Sequence, residues 1–317
     1  MDTIEILHLV LSHWNLHLKC LHPEISVAGS SERTAYRTVV ETQQSHFYIV
    51  EEILAAQLDH KRLIQNILFF LHSNRLQFAE PYIRSNSGNA ICEVESRFWQ
   101  IIPFIDGIPL VRPAYIDDTW RGREMAHFLT ALKDSSAGIE SLITKPPFSI
   151  KEYVIDFIKK LQIHNPELTG NVDEIFLHLE KTFFDRHDEL EIGFCHGDYH
   201  PLNIIWSETG IRRVIDWEFA GFKPVLYDIA NMLGCLGMEH PRSLVNAVTR
   251  QFLHHLFKSK FLNINHLECL PEFILALRFA WLAEWLRKTD TEMIKLELTY
   301  MFLLLDNREK ILKNWCL

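Results

Sequence analysis

The residue pattern of this chain changes near position 117, and that change limits its fold more than any other feature. Before it, short β-prone stretches are separated by turn residues. After it, long stretches with apolar residues at helical spacing follow one another, interrupted by a strand-rich island at 192–220. Strands gathered in one part and helices in another predict an α+β chain.

A glycine and a proline at 106–109 mark the natural joint between these two parts, because both residues break regular structure. We therefore predict two domains, a small β-rich one at 1–105 and a larger, mainly helical one at 106–317. The chain length of 317 residues agrees with two domains at ~150 residues each.

Within the first part, the apolar spacing of residues 3–21 predicts one amphipathic helix. Small polar residues at 29–31, between two β-prone stretches, predict a glycine turn in a hairpin. A second helix is expected over 54–73. Further strands are expected near 46–50, 81–84, 90–95 and 97–105.

Composition excludes several classes of protein. Hydrophobic residues make up 48% and charged residues 23% of the chain, which is ordinary for a globular protein and excludes a disordered or coiled-coil one. The net charge of −9 argues against a nucleic-acid partner. The six cysteines form no CxxC pair and are expected to be reduced thiols, which favours a cytoplasmic location. No apolar run approaches the ~20 residues that span a bilayer, so we expect no membrane partner.

The island at 192–220 carries the chemistry. Its apolar stretches at 204–206 and 213–215 are predicted to pair as a hairpin, which would bring Asp216 back beside Asn203. An amide oxygen and a carboxylate are hard oxygen ligands suited to Mg²⁺. Asp198, in the loop just before this hairpin, could accept a proton from a substrate hydroxyl.

Two motifs in the island resemble those of a known family. The run His-Gly-Asp-x-His-x-x-Asn at 196–203, followed by Ile-Asp-Trp at 215–217, is similar to the phosphotransferases that include aminoglycoside phosphotransferases and choline and ethanolamine kinases. The resemblance implies a protein-kinase-like fold, with an antiparallel sheet in a small N-terminal lobe and a mainly helical C-terminal lobe. It also implies that ATP and Mg²⁺ bind in the cleft between the lobes.

The resemblance implies roles for three residues in transfer. Asp198 would be the catalytic base that orients the attacking hydroxyl, while Asn203 and Asp216 would hold Mg²⁺ on the nucleotide phosphates. Phosphoryl transfer depends mainly on positioning and on neutralising charge, which so sparse a set of residues can supply.

The same resemblance places other residues around the catalytic loop. His196 would be mainly structural, His200 would fix the loop or face the substrate, and Asp228 would brace the loop. His196, Asp198 and His200 also alternate like zinc ligands. That alternative lacks a further ligand at suitable spacing, and it leaves the two candidate magnesium ligands unexplained.

The resemblance indicates the nucleotide-binding residues less directly. The turn of Gly29, Ser30 and Ser31 matches the position that covers the phosphates, where backbone amides can approach anionic oxygens. The stretch that ends with Ile102 and Phe104 would be the hinge that offers backbone groups to adenine.

The third strand departs from the family pattern. A lysine is usual at its end, paired with a glutamate on the next helix, whereas this strand ends in Glu51-Glu52 and residues 54–73 contain no glutamate. Our hypothesis is that Lys61, or less readily Arg62, supplies the charge on the phosphate side, with Glu51 as partner in a reversed ion pair. The missing lysine also leaves open the alternative that the protein is a pseudokinase, which binds nucleotide as a scaffold and transfers no phosphoryl group.

The acceptor is left open by the sequence. Trp281 and Trp285, with Glu284 between them, lie four residues apart on one helical face and are either core packing or a wall for a cationic or sugar substrate. The leading interpretation is an ATP- and Mg²⁺-dependent kinase for a hydroxyl of a small metabolite, such as a sugar, amino sugar, aminoglycoside or amino alcohol. The oligomeric state is also left open.

Overall fold

The computed structural model describes residues 2–27 and 32–315. Its helices are α1 Thr3–Ser12, α2 Leu58–Ser73, α3 Thr119–Ser135, α4 Ile150–His164, α5 Pro166–Thr182, α6 Phe184–Asp188, α7 Tyr227–Glu239, α8 Ala247–Lys258, α9 Ile264–Arg287 and α10 Thr291–Trp315. Its strands are β1 Leu18–Leu21, β2 Thr34–Thr42, β3 Phe47–Ile53, β4 Ile91–Val94, β5 Arg97–Pro103, β6 Ile192–Cys195, β7 Ile204–Trp206, β8 Ile211–Val214 and β9 Gly221–Pro224.

One five-stranded sheet holds the strands of the first third of the chain, in the order β1-β2-β3-β5-β4. Each neighbouring pair is antiparallel, which confirms the antiparallel sheet implied by the family resemblance. Two short sheets, β6 with β9 and β7 with β8, lie in the later island. The remainder of the chain is mainly helical, so the α+β fold class is confirmed.

The core of the sheet is formed with the first helix. Leu7, Val10 and Leu11 of α1 are fully buried and belong to one apolar cluster with Val50 and Trp99 of the strands. Helical spacing puts the apolar residues of α1 on one face, and burial of that face stabilises the helix on the sheet.

The prediction of one helix over 3–21 is wrong. The helix α1 starts at a capping box formed by Asp2 and Glu5, but it ends at Ser12. Asn15 has a φ of 53°, a left-handed conformation that ends a helix, and the chain then enters β1. Leu18–Leu21 pairs with β2 in the sheet, and this pairing overrides the helical spacing of its apolar residues.

The other strand predictions in this region have mixed outcomes. The strands expected near 46–50, 90–95 and 97–105 are present as β3, β4 and β5. The strand expected near 81–84 is absent, although the backbone N–H of Ile83 donates to Ile101 O at 3.0 Å. Pro81 cannot donate to a sheet ladder, which limits this segment to isolated bonds.

The chain forms two compact units, and neither is one continuous segment. Unit 1 comprises Met1–Ile108, Ser135–Thr144 and Arg212–Glu218. Unit 2 comprises Pro109–Asp134, Lys145–Ile211 and Phe219–Leu317. The domain boundary expected at 105/106 stays a prediction.

In unit 2, α9 contacts α4, α7 and α10, so this long helix lies at the centre of the helical core. Arg278 of α9 is buried and donates from Nε and Nη2 to the Glu297 carboxylate of α10, at 2.5 and 2.6 Å. Within the described residues, each helix is too short or too polar to cross a bilayer. The cysteines of the described residues, Cys20, Cys92, Cys195, Cys235 and Cys269, carry free thiols.

Candidate active site

A buried carboxylate ties down the start of the loop that carries Asp198. Asp228, in the first turn of α7, is 3% exposed. Its Oδ2 accepts the backbone N–H of His196 at 2.7 Å, and its Oδ1 accepts that of Gly197 at 2.8 Å. The loop is thereby fixed to the N-terminal end of a helix, which is the bracing position that the resemblance assigns to Asp228.

Only glycine fits at position 197. The residue has a φ of 86°, and a Cβ added there would lie 2.1 Å from the carbonyl oxygen of Phe219. A side chain would therefore force the loop away from the segment that follows Glu218. Lys223 holds this same carbonyl from another direction, because its buried ammonium group donates to Phe219 O at 2.7 Å.

His196 is fully buried, and its ring acts inside the loop. Its Nδ1 accepts the backbone N–H of Asp198 at 3.2 Å. This bond sets the backbone direction from which the Asp198 side chain projects, so the geometry suits the structural role expected of His196.

Asp198 is held by two neighbours in the loop. The Nδ2 of Asn203 donates to the Asp198 backbone oxygen at 2.9 Å and to Oδ2 of the same residue at 3.0 Å. The Nε2 of His200 lies 3.6 Å from Oδ2. The Asp198 side chain is 19% exposed. The loop therefore orients the carboxylate, and a small molecule can still reach it.

These contacts keep Asp198 ionised. Burial alone would raise its pKa, but the nearby imidazoles of His200 and His196 and the hydrogen bond from the Asn203 amide together lower the pKa below 3.8. A carboxylate that is charged at neutral pH can accept a hydrogen bond from an attacking hydroxyl.

The tautomer of His200 follows from its other ring nitrogen. Nδ1 of His200 accepts the backbone N–H of Leu202 at 3.3 Å, at the start of the short turn 201–203. In the neutral ring the proton therefore lies on Nε2, the nitrogen that faces Asp198. The sequence suggested either a loop-fixing or a substrate-facing role for His200, and its contacts are with the loop.

The two candidate magnesium ligands lie in different compact units. Asn203 of unit 2 commits its amide nitrogen to Asp198, so Oδ1 is the atom with which it can bind a cation. Asp216 of unit 1 has a φ of 64°, and its Oδ1 lies 4.0 Å from Nη1 of Arg33. Both oxygens are hard donors of the kind that Mg²⁺ prefers, so the residue types fit the ion. Their convergence on one ion stays a prediction.

Burial raises the pKa of Asp228 to about 6, although the backbone N–H groups of Gly197 and His196 and the charge of Lys223 favour its ionised form. Burial likewise lowers the pKa of Lys223. Sequence reasoning missed Lys223, whose only signal is a lysine in an otherwise apolar strand.

Unit 1 contains a second charged cluster, and Glu218 is at its centre. The Lys61 ammonium group is 2.5 Å from Oε1 of Glu218, and Arg33 Nη1 and His60 Nε2 each lie 3.4 Å from Oε2. Burial opposes ionisation of Glu218, but the nearby His60 ring and the charges of Lys61 and Arg33 lower its pKa to about 2. Sequence reasoning also missed Glu218, whose only signal is its position two residues after Asp216.

Glu51 takes part in this cluster at longer range. Lys61 Nζ lies 3.9 Å from Glu51 Oε1, so the two groups of the hypothesised reversed ion pair are near each other. Glu51 also accepts hydrogen bonds from Thr34 Oγ1 and Gln100 Nε2, both at 2.5 Å. The strand carboxylate is therefore fully satisfied inside unit 1, and the role of Lys61 at the phosphates stays a prediction.

The residues expected to bind the nucleotide base and phosphates remain predictions. Gly29, Ser30 and Ser31 lie outside the described residues. Ile102 is paired with Ile49 in the sheet, and the backbone N–H of Phe104 donates to Phe47 O at 3.2 Å. Of the Phe104 backbone groups, the carbonyl is thus the one that a nucleotide base could use.

The candidate acceptor residues are held within α9. The Trp281 and Trp285 rings are stacked, with centroids 5.9 Å apart, and Trp285 Nε1 donates to Glu297. Hydrogen bonds from Arg287 and Lys288 outweigh burial and lower the pKa of Glu284 to about 2. The carboxylate is thus already neutralised by its own helix, and a substrate role for this group stays a prediction.

Comparison with known proteins identifies the family of the chain. A model of the phosphotransferase enzyme family matches residues 28–262. A probable choline kinase of Arabidopsis thaliana is 38% identical over 72 residues, which are 22% of this chain and 20% of that kinase. This chain therefore matches about a fifth of the length of that relative.

Solved structures resemble the chain over nearly its full length. A microcompartment-associated aminopropanol kinase superposes with a TM-score of 0.68 at 16% identity, covering 97% of this chain and 98% of that one. The GDP complex of aminoglycoside 2'-phosphotransferase-IIIa superposes with a TM-score of 0.64 at 14% identity, covering 99% of each chain. At these identities the likeness establishes the fold, which is protein-kinase-like.

Proposed function

This chain belongs to the phosphotransferase enzyme family, and we propose that it transfers the γ-phosphoryl group of ATP, as the magnesium complex, to a hydroxyl group of a small metabolite. The observation that carries the proposal is the placement of Asp198. This carboxylate is partly exposed, accepts a hydrogen bond from Asn203, lies 3.6 Å from His200 Nε2, and belongs to a loop that Asp228 ties down.

The loop residues divide the work of transfer. Asp198 would accept the hydrogen bond of the attacking hydroxyl and orient its oxygen toward phosphorus. Asn203 and Asp216 would hold Mg²⁺, which neutralises charge on the phosphate oxygens when it is bound. Because the attacking group needs orientation more than full deprotonation before transfer, a carboxylate with a low pKa suits this step.

We propose an acceptor that carries an amine, such as an amino alcohol or an amino sugar. Its support is the class of the similar proteins, which are an aminopropanol kinase, a probable choline kinase and aminoglycoside phosphotransferases. The net charge of −9 also favours approach of a cationic acceptor over that of an anionic one.

A direct test is an ADP- and GDP-release assay with ATP or GTP, Mg²⁺ and pools of amino alcohols, amino sugars, sugars and hydroxy amino acids. Turnover is expected on an amine-bearing pool, with the phosphorylated product identified by mass spectrometry. Asp198→Asn should lower turnover by about 10²–10⁴-fold and leave nucleotide binding in place. Full turnover by this variant would contradict the assigned role.

One observation favours a second candidate, a nucleotide-binding scaffold without transfer. The end of β3 carries Glu51, where the family usually has a lysine, and this glutamate is bonded within unit 1. A rise in melting temperature with Mg-ATP, together with no turnover on any pool, would support the scaffold and reject the kinase.

A further inference from the structure

A cysteine, a histidine and a glutamate meet at the edge of the five-stranded sheet in unit 1, and none of the three has a role in the transfer proposed above. Cys20 lies in β1, Glu41 lies in β2, and His22 directly follows β1. From this geometry we propose that Cys20, His22 and Glu41 bind a divalent transition-metal ion of the Zn²⁺ class.

Strand register brings the three side chains together. Cys20 and Glu41 are direct partners across the antiparallel β1–β2 pair, where opposed Cβ atoms lie about 5 Å apart. Because side chains alternate along an extended chain, His22 projects on the same side as Cys20. The backbone N–H of His22 donates to Val39 O at 2.9 Å, which continues the pairing beyond the end of β1.

The distances between the ligand atoms fit a tetrahedral ion. Cys20 Sγ lies 3.4 Å from His22 Nε2 and 3.2 Å from Glu41 Oε2, and those two atoms are 3.2 Å apart. A tetrahedral Zn²⁺ with its usual bonds to sulfur, nitrogen and oxygen holds such atoms about 3.3–3.6 Å apart. The ligand atoms would therefore move outward by only a few tenths of an ångström, and the thiol proton would be released to solvent.

Two neighbours orient the ligands from outside. Glu24 Oε1 lies 2.6 Å from His22 Nδ1, which directs Nε2 toward the cluster, as carboxylates do for metal-bound histidines. Lys19 Nζ lies 2.6 Å from Glu41 Oε1 and leaves Oε2 facing Cys20 and His22.

The donor set selects the class of ion. A thiolate with an imidazole suits Zn²⁺ and its relatives, whereas Mg²⁺ and Ca²⁺ prefer sites made of oxygen atoms. The side chains of His22 and Glu41 are 21% and 12% exposed, so a water molecule can supply a fourth ligand. The bound ion would join β1 to β2 and stabilise the edge of the sheet.

Cobalt is the probe for the test, because a thiolate bound to Co²⁺ gives a charge-transfer absorption. After treatment with a chelator, the full-length protein is titrated with CoCl₂. We expect one equivalent to produce that absorption, and ZnCl₂ to abolish it by displacement. Cys20→Ser and His22→Gln should no longer bind one equivalent of Co²⁺ tightly. Glu24→Gln should weaken Co²⁺ binding by about 10–100-fold.

Matched controls are His46→Gln, which changes an exposed histidine of the same unit, and Cys235→Ser, which changes a free thiol of unit 2. Both should bind Co²⁺ as the wild type does. ZnCl₂ should raise the melting temperature of the wild type and of these controls, but not that of Cys20→Ser or His22→Gln. The proposal is overturned if the wild type shows no charge-transfer band, or if Cys20→Ser keeps it. Neither result depends on phosphoryl transfer.

Discussion

The ammonium group of Lys61 lies 2.5 Å from a carboxylate oxygen of Glu218, although 157 residues separate the two along the chain. Both side chains are nearly buried, at 5% and 9% exposure. A buried charge without a partner is strongly unfavourable, so each group depends on the other. The helix lysine is thus joined to the segment that carries Asp216, two residues before Glu218.

We predict that Lys61→Met weakens nucleotide binding by at least about tenfold, because it removes the cation that we expect on the phosphate side of unit 1. Lys61→Arg should retain most of the affinity, since it keeps the charge. The dissociation constant for Mg-ATP, measured by calorimetry at a temperature where each variant is folded, checks this prediction.

The matched control for Lys61 is Arg62→Met on the next residue of α2. Arg62 is 57% exposed and pairs at 3.4 Å with Asp59, so its loss should leave nucleotide affinity within about twofold of the wild type. Unchanged affinity in Lys61→Met, or an equal loss in both variants, would refute the hypothesis.

Glu218 predicts a pH dependence of stability with a definite sign. Its folded pKa of about 2 lies below the usual 4.5, so the stabilisation it provides is complete above pH 4.5 and is lost as the pH falls toward 2. We therefore expect Glu218→Gln to lower the free energy of unfolding by a few kcal/mol at pH 7. The difference from the wild type should shrink steadily between pH 4.5 and pH 2.

Denaturant unfolding at a series of pH values measures this difference. Asp59→Asn is the control, because Asp59 is 98% exposed and its ion pair with Arg62 is worth less than about 1 kcal/mol. If the loss of unfolding free energy in Glu218→Gln stays constant down to pH 2, the Glu218 carboxylate is not held ionised by Lys61, His60 and Arg33.

Asp228→Asn should loosen the loop that carries Asp198. The carboxylate accepts two backbone N–H groups, whereas an asparagine side chain has one oxygen and would turn an N–H donor toward the other. One buried N–H is then left unsatisfied, at a cost of about 1–3 kcal/mol. We expect faster hydrogen exchange at His196 and Gly197, and a fall in kcat of up to about 100-fold.

Hydrogen exchange followed by mass spectrometry, together with kcat and KM, checks this loosening. Asp290→Asn is the control, because Asp290 Oδ1 caps α10 by accepting the Met293 N–H at 3.1 Å and asparagine caps a helix equally well. Equal hydrogen exchange at the loop amides in the wild type and in Asp228→Asn would show that Asp228 does not hold the loop in place.

Local patterns are sufficient to predict most strands of the five-stranded sheet and the family, and insufficient wherever the outcome depends on distant contacts. The strand β3 and the loop with Asp198 can be predicted because alternation and motif spacing are properties of short segments. The spacing of apolar residues wrongly places 18–21 in a helix, because the pairing of this segment with β2 depends on residues about twenty positions away.

The same limit explains the residues that sequence reasoning missed. Glu218 is a partner of Lys61 only in the folded chain, and the place of Glu41 opposite Cys20 depends on the register of β1 against β2. A search for adjacent cysteine pairs could not find a cluster whose ligands come from two strands. The motif can be located from the sequence alone, whereas charged partners such as Glu218 of Lys61 can be identified only in the folded chain.

His200 presents its Nε2–H to Asp198, and the variant His200→Asn separates this contact from the bond that His200 makes within the loop. The asparagine oxygen lies about where Nδ1 does and still accepts the Leu202 N–H, but no donor then faces Asp198 in place of Nε2–H. Since His200 contributes to lowering the Asp198 pKa, that pKa should rise toward 3.8 in the variant. A carbon NMR titration of the carboxyl group, assigned with Asp198→Asn, measures the shift.

At pH 7 the Asp198 carboxyl remains ionised in His200→Asn, so any loss of kcat there reports positioning and not charge. We expect that loss to stay within about tenfold, because Asn203 still donates to Oδ2 at 3.0 Å. The control is His46→Gln, which removes an exposed imidazole of unit 1 and should leave the Asp198 titration unmoved. If the Asp198 pKa is the same in His200→Asn and in the wild type, His200 does not stabilise the carboxylate.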